Sequence, residues 1–460
     1  MGTDLTRGKP LSVIVKFMIP LFIGNVFQQL YNMADTVIVG RYVGQNALAA
    51  VGSTGTIMFL VLGFATGLTT GFTVLTSQRY GAKDAVGTRK SVANAMILAV
   101  IVIAVMTLVS LLVMRPVLTL MNTPAEIYED AYRYISIICG GIFCTVFYNL
   151  FSAMMRSVGN SRMPLVFLVM SACLNVVLDL VFIINFHMGT AGAAIATDVA
   201  QGISAVLSIL YMIRKMPELM PERHMWRLTG YMTRVQLQVG LPMALQFGIT
   251  ASGTMVMQAA INTFGAVAVA SFTAAGKVQN LITQEFSSMG QSMASYCGQN
   301  YGKGDYERIQ QGVRSAILVS VIYSIAAAIV GLTLLRPMMG LFFPAGTDIA
   351  GMMPYANTYI RLCVIFYIPL SMIFIFRNAM QGCGYGFLPM MGGVVELFCR
   401  LAMALASMAL NIYALAAFCD PFAWIGACIF TAIAYRIVIG KVRATLLGTG
   451  ANPERLSERA

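Results

Sequence analysis

Of the 18 acidic residues in this 460-residue chain, five fall inside long apolar stretches: Asp35, Asp179, Asp198, Glu285 and Glu396. A charged group inside a bilayer costs at least about 2.5–3.5 kcal/mol on insertion scales, so each is a functional candidate by default. The two histidines, His187 and His224, fall at a helix end and in a loop, so a buried proton switch has to be a carboxylate. Asn25, Gln28, Gln29, Asn32, Asp35 and Thr36 lie within about a third of a helix circumference at 100° per residue. Such a stripe has to face a cavity or another helix rather than lipid. Asn175 and Asp179, four apart, share one helix face, and Thr197 and Asp198 follow across a short turn. Two carboxylates with an amide and a hydroxyl can hold Na⁺, or can share and exchange a proton. The plainer reading of each group is a hydrogen-bonded tie between helices, and only for Asp198 is it the stronger one.

The second half of the chain offers a different set. Lys277, Gln284 and Glu285 fall on one predicted span, and Glu396 and Arg400 are four apart on another. The last two are expected to neutralise each other, while Arg377, near a span end, is expected to snorkel toward water. Gln28, Gln29, Asn32, Asp198, Lys277, Gln284, Glu285 and Arg400 are the candidates for a substrate cavity. There is no P-loop, HExxH or GxSxG, so ATP-driven transport and familiar hydrolase chemistry lack support. No enzyme and no cofactor is expected, only a coupling ion, H⁺ or Na⁺.

The elements that position these groups are membrane helices. Hydrophobic residues make up 58% of the chain, charged residues 10%, and mean hydropathy is +0.77. A soluble domain carries roughly 25% charged residues, too many for this composition. Apolar stretches long enough to cross a core about 30 Å thick recur throughout. Spans are expected near 14–38, 47–77, 91–114, 131–155, 163–186 and 191–213, then 233–261, 266–295, 314–335, 355–381, 388–411 and 421–440. The net charge of +12 is spread over short loops, which argues for topology and against nucleic acid. Counting residues near span ends with the adjoining loops, 22 of the 30 Lys and Arg residues fall in the termini and one set of loops, five in the other set, and three, Lys277, Arg377 and Arg400, are assigned to spans. The positive-inside rule then puts both termini in the cytoplasm. The nine cysteines have no paired spacing and read as packing residues.

The two halves repeat. Gln78-Arg-Tyr-Gly-Ala-Lys-Asp84 matches Gln299-Asn-Tyr-Gly-Lys-Gly-Asp305, and Arg115-Pro116 matches Arg336-Pro337, at an offset of 221. Gly159 and Pro164 match Gly384 and Pro389 at 225. The expected fold is an all-α membrane protein of twelve transmembrane helices in two six-helix pseudo-symmetric lobes. The lobes are 1–213 and 233–445, with a cytoplasmic linker at 214–232 and a tail at 446–460. Gly63, Gly67 and Gly71 should allow close helix packing, and Pro20, Pro242 and Pro369 should kink their spans.

Taken together, Pro20…Gln28-Gln29…Asp35, the repeated Gln-x-Tyr-Gly loops, Arg156-Ser-Val-Gly-Asn160…Pro164 and Asn175-x-x-x-Asp179 resemble the multidrug and toxic-compound extrusion (MATE) family over nearly the full length. The resemblance implies alternating access and H⁺- or Na⁺-driven antiport exporting drugs or other small, often cationic, organic compounds. It implies a cation site at Asp35, Asn175, Asp179 and Thr197. Some members instead use acidic residues on the seventh and tenth spans, and this chain has none well inside either. The implied setting is a bacterial-type cytoplasmic membrane, with the chain a monomer that meets lipid and small organic substrates. The alternative of similar architecture is a flippase for lipids or lipid-linked oligosaccharides, with Lys277 and Arg400 drawing an anionic head group.

Overall fold

The computed structural model describes residues 3–121, 123–340 and 349–448, so only the start of the expected tail lies within it. Among the described residues the regular structure is all helical. The α-helices run α1 (Pro10–Tyr42), α2 (Gln45–Gly81), α3 (Ala85–Leu120), α4 (Ala125–Gly140), α5 (Ile142–Ser157), α6 (Arg162–Leu180), α7 (Gly189–Lys215) and α8 (Gly230–Asn262). They continue with α9 (Ala266–Ile282), α10 (Gln284–Lys303), α11 (Tyr306–Thr333), α12 (Leu335–Gly340), α13 (Ile349–Ile365), α14 (Tyr367–Gly382), α15 (Phe387–Leu410), α16 (Tyr413–Ala417) and α17 (Cys419–Gly448). Among the described residues nine single helices are long and apolar enough to cross a membrane. The bent pairs α4–α5, at 46°, and α13–α14, at 53°, add two more. The pair α9–α10, interrupted only at Thr283, holds in the second repeat the place of α2 in the first and completes twelve.

The repeat extends to the element boundaries. The α4–α5 break at Gly141 and the α13–α14 break at Phe366 are 225 residues apart, as are the starts of α6 and α15. α1 and α8 run as single helices through Pro20 and Pro242, and breaks with sharp bends fall at Gly141 and Phe366. At Gly141 the cause is a Gly140-Gly141 pair that leaves the turn without side-chain support. Pro369 lies in the first turn of α14, where a missing N–H is tolerated and the helix simply restarts.

The chain forms two compact units. The first is essentially Ile19–Phe247; the second takes Leu5–Met18 and the chain from Gly248 onward. In the first unit, Phe72, Ile142, Leu150 and Met154 form the centre of the core. There the glycine run of α2 meets α8 backbone to backbone: a Cβ on Gly71 would stand 2.2 Å from the Gly240 Cα, and one on Gly67 2.7 Å from Ala244. The start of α8 is tied in by side-chain amides. Asn94 accepts from the Thr229 N–H at 2.9 Å and donates to Gln236 Oε1 at 2.8 Å, and Gln236 donates to the Ser91 carbonyl at 2.9 Å.

In the second unit, Phe286, Ile360 and Tyr367 are fully buried. The segment before α1 is held by the α10–α11 turn, where Asn300 donates to the Leu5 carbonyl at 3.2 Å and Arg308 to those of Arg7 and Gly8 at 2.8 Å. The repeated loops end in helix caps: Asp84 accepts from the Gly87 N–H at 2.7 Å and Asp305 from the Arg308 N–H at 3.0 Å. Each satisfies an N–H that the helix start would otherwise leave bare.

Candidate functional site

Three helices of the first unit, α1, α6 and α7, converge their polar side chains. The carboxyl groups of Asp35 and Asp179 lie within hydrogen-bonding reach of each other. Asn175, one turn before Asp179 on α6, donates its amide to the Thr197 hydroxyl at 3.3 Å, and that hydroxyl donates to the Ala193 carbonyl of its own helix at 3.0 Å. Asn175 and Asp179 are buried, while Asp35 and Thr197 are half-buried. One Asp35 oxygen, Oδ1, is buried with no hydrogen-bond partner among the described residues. An acceptor in that state costs about 1–3 kcal/mol and is relieved by any small cation or proton that reaches it.

Tyr31 belongs to this group although the stripe on the first span did not include it. Its hydroxyl is hydrogen-bonded to Thr197, and it lies within electrostatic reach of Asp35, Asp179 and Asp198. Tyr31 precedes Asp35 by four residues, so the spacing that joined Asn175 to Asp179 was the available signal. Tyr134 of α4, fully buried, closes another side within reach of the same carboxylates. Directly after Asp179 the helix widens into a π turn over Val181–Asn185, a local departure frequent at functional sites.

The other candidates are placed as follows. Gln28 and Asn32 are exposed on α1 and Gln29 is half-buried. The Asp198 carboxylate is set against Gly141, within electrostatic reach of Tyr31 and Tyr134. Lys277 is exposed on α9, and Gln284 is half-buried and donates to the Asn280 carbonyl at 3.0 Å. Glu285 is buried; its Oε1 accepts from Ser320 at 3.2 Å.

Arg400 is buried in a charge network: 2.9 Å to Asp420 and 3.5 Å to its helix neighbour Glu396. Arg377 joins the same Glu396 at 3.7 Å, and Tyr359 donates to Asp420 at 3.0 Å. Arg377 therefore does not snorkel; it is 9% exposed, because Glu396 supplies a counter-charge inside the unit that water would otherwise provide. Asp420, at the edge of its expected span, went unnoticed as the partner of Arg400. Two cations and two anions leave the network neutral.

Among the described residues no group of three or more His, Cys, Asp or Glu side chains converges as a metal site. The pair Asp35–Asp179, with one amide and two hydroxyls, suits a monovalent ion or a proton by donor count and charge.

Comparison with known proteins adds family information. The MatE family profile matches residues 20–181 and 242–406. A probable multidrug resistance protein of Bacillus subtilis, YpnP, is 30% identical over 309 residues, covering 66% of this chain and 68% of that protein. The probable multidrug resistance protein NorM of Thermotoga maritima is 23% identical over 381 residues, 82% of this chain and 81% of its own. A crystal structure of MATE in complex with MaL6 superposes with a TM-score of 0.88 at 22% identity, covering 96% of this chain and 99% of that one.

Proposed function

Because the chain belongs to the MatE family, whose matched relatives include probable multidrug resistance proteins, we propose that it is a proton-coupled antiporter whose proton is carried by Asp35 and Asp179. The single observation that carries this reading is the close approach of the two carboxyl groups on α1 and α6. Two carboxylates that close cannot both stay ionised without a counter-ion, and one shared proton satisfies the pair directly. Asn175, Thr197 and Tyr31 are linked to one another beside the pair, through the Asn175–Thr197 hydrogen bond and the contact of Tyr31 with Thr197.

In this reading a proton and a cationic organic substrate favour different states of the transporter, so that binding of one drives release of the other. Outward-to-inward passage of the proton exports the substrate. The lobes 1–213 and 233–445 move as the alternating parts, both termini face the cytoplasm, and the working unit is a monomer. The flippase alternative loses support because the charge of Arg400 is already neutralised by Glu396 and Asp420.

The test is proton release. Adding a cationic substrate to the purified protein in weak buffer should displace protons in proportion to the substrate bound. Asp35→Asn and Asp179→Asn should each abolish the release while the fold persists. Release of the same size from both variants would overturn the assignment.

A further inference from the structure

The segment that joins α7 to α8 takes no part in the site described above. It leaves one helix long and apolar enough to cross a membrane at Lys215 and enters the next at Gly230, so it lies at a membrane face.

The segment is fixed to the first unit. Its two 3-10 turns, Pro217–Leu219 and Arg223–Met225, pack on α3, with Leu219 and Met225 buried. Glu222, between the turns, is paired with Arg89 of α3 at 2.9 Å, and the Thr229 N–H is held by Asn94 of the same helix at 2.9 Å. Such anchoring sets the outward side chains in place before anything meets them, which lowers the entropy cost of binding.

The anchors leave a mixed set of side chains facing outward. Trp226 is 49% exposed and Leu228 46%, although Met225 beside them is buried. Arg214, Lys215, Arg223 and Arg227 are exposed as well, and none of them forms an ion pair among the described residues. Of the two acids in the segment, Glu222 is taken by Arg89, and Glu218 lies within electrostatic reach of Tyr80 on α2. The four cations are left without a counter-charge.

That combination matches the headgroup layer of an anionic bilayer. An indole suits the level where hydrocarbon gives way to water, because its ring is apolar and its N–H is not. Each Lys or Arg near an anionic lipid surface adds about five-fold in affinity. Apolar burial and charge attraction add for a segment that lies on the membrane. An acidic protein would satisfy the cations, but the segment starts and ends at the lipid, and headgroups reach it first.

We infer that the α7–α8 segment is a docking surface for anionic phospholipid headgroups, with Arg214, Lys215, Arg223 and Arg227 pairing phosphate and Trp226 and Leu228 set into the layer beneath. This surface lies beyond the proton-antiport reading: it uses no residue of the Asp35–Asp179 group and holds for either coupling ion.

Trp226 is itself the reporter, since the chain has two tryptophans and Trp424 is buried. The full chain is placed in nanodiscs containing phosphatidylcholine brominated high on one acyl chain, with phosphatidylglycerol replacing the unlabelled phosphatidylcholine in rising proportion. Trp226→Phe gives the emission of Trp424 alone, for subtraction. Trp226 emission should shift to the blue and its quenching by bromine should rise about two-fold or more as phosphatidylglycerol is added, and high salt should reverse both. The double variant Arg223→Gln with Arg227→Gln, which breaks no ion pair, should lose most of that dependence at an unchanged melting temperature. Quenching that does not respond to phosphatidylglycerol, or a rise that keeps its full size in the double variant, would overturn the surface.

Discussion

The proposed sharing of one proton makes Asp35 and Asp179 depend on each other. Removing either acid removes the sharing, so Asp35→Asn and Asp179→Asn should both reduce gradient-driven efflux to the level seen without a gradient, with unchanged thermal stability. Tyr31→Phe removes a single hydrogen bond to Thr197 and should slow efflux by about ten-fold while preserving coupling, as dye-efflux rates would report. Residues of this kind were legible in the sequence in proportion to how badly their chemistry suits an apolar stretch. Asp35, Asn175 and Asp179 stood out because lipid cannot solvate them. Tyr31 and Tyr134 did not, since an aromatic ring is ordinary filling in a membrane helix and its hydroxyl is noticed only once a partner is placed. Asp420 does not stand out for a different reason: it falls one residue outside the span expected at 421–440, whereas it lies against Arg400.

Elements were legible as apolar lengths but not where they break. Hydropathy continues unbroken across Gly141, Phe366 and Thr283, so a window that averages 18 residues sees one span where the backbone forms two helices. Close packing was better foretold, because glycines spaced by four leave a side-chain-free strip on any helix. Gly71→Val puts methyl groups where the Gly240 backbone stands and should destabilise the first unit by about 1–3 kcal/mol or more, measurable as a lower melting temperature in detergent. In the second unit, Arg400→Met removes the cation beside Asp420 and leaves Glu396 with Arg377 alone, and should cost about 3–5 kcal/mol. A double variant, Arg400→Met with Asp420→Leu, should recover most of that loss, which would separate an unpaired charge from a lost contact.

For the whole molecule, the sequence carries its topology in charge and its architecture in repetition. Lys and Arg crowd the termini and one set of loops, so reporters fused at either terminus should be active only on the cytoplasmic side. A terminus found outside would reverse the direction proposed for the proton. The repeat was legible at offsets of 221 and 225 and reappears in helix starts and bends, yet the acids are not repeated: Val256 and Arg400 stand where Asp35 and Asn175 do. That asymmetry is why the proton path is assigned to the first unit alone.

The most direct test uses proteoliposomes loaded with a fluorescent cationic dye and given either an acid exterior or a Na⁺ gradient at uniform pH. The account predicts dye efflux under the pH gradient, none under Na⁺ alone, and none under either with Asp35→Asn. Efflux driven by Na⁺ at uniform pH, or acid-driven efflux that survives Asp35→Asn, would contradict it.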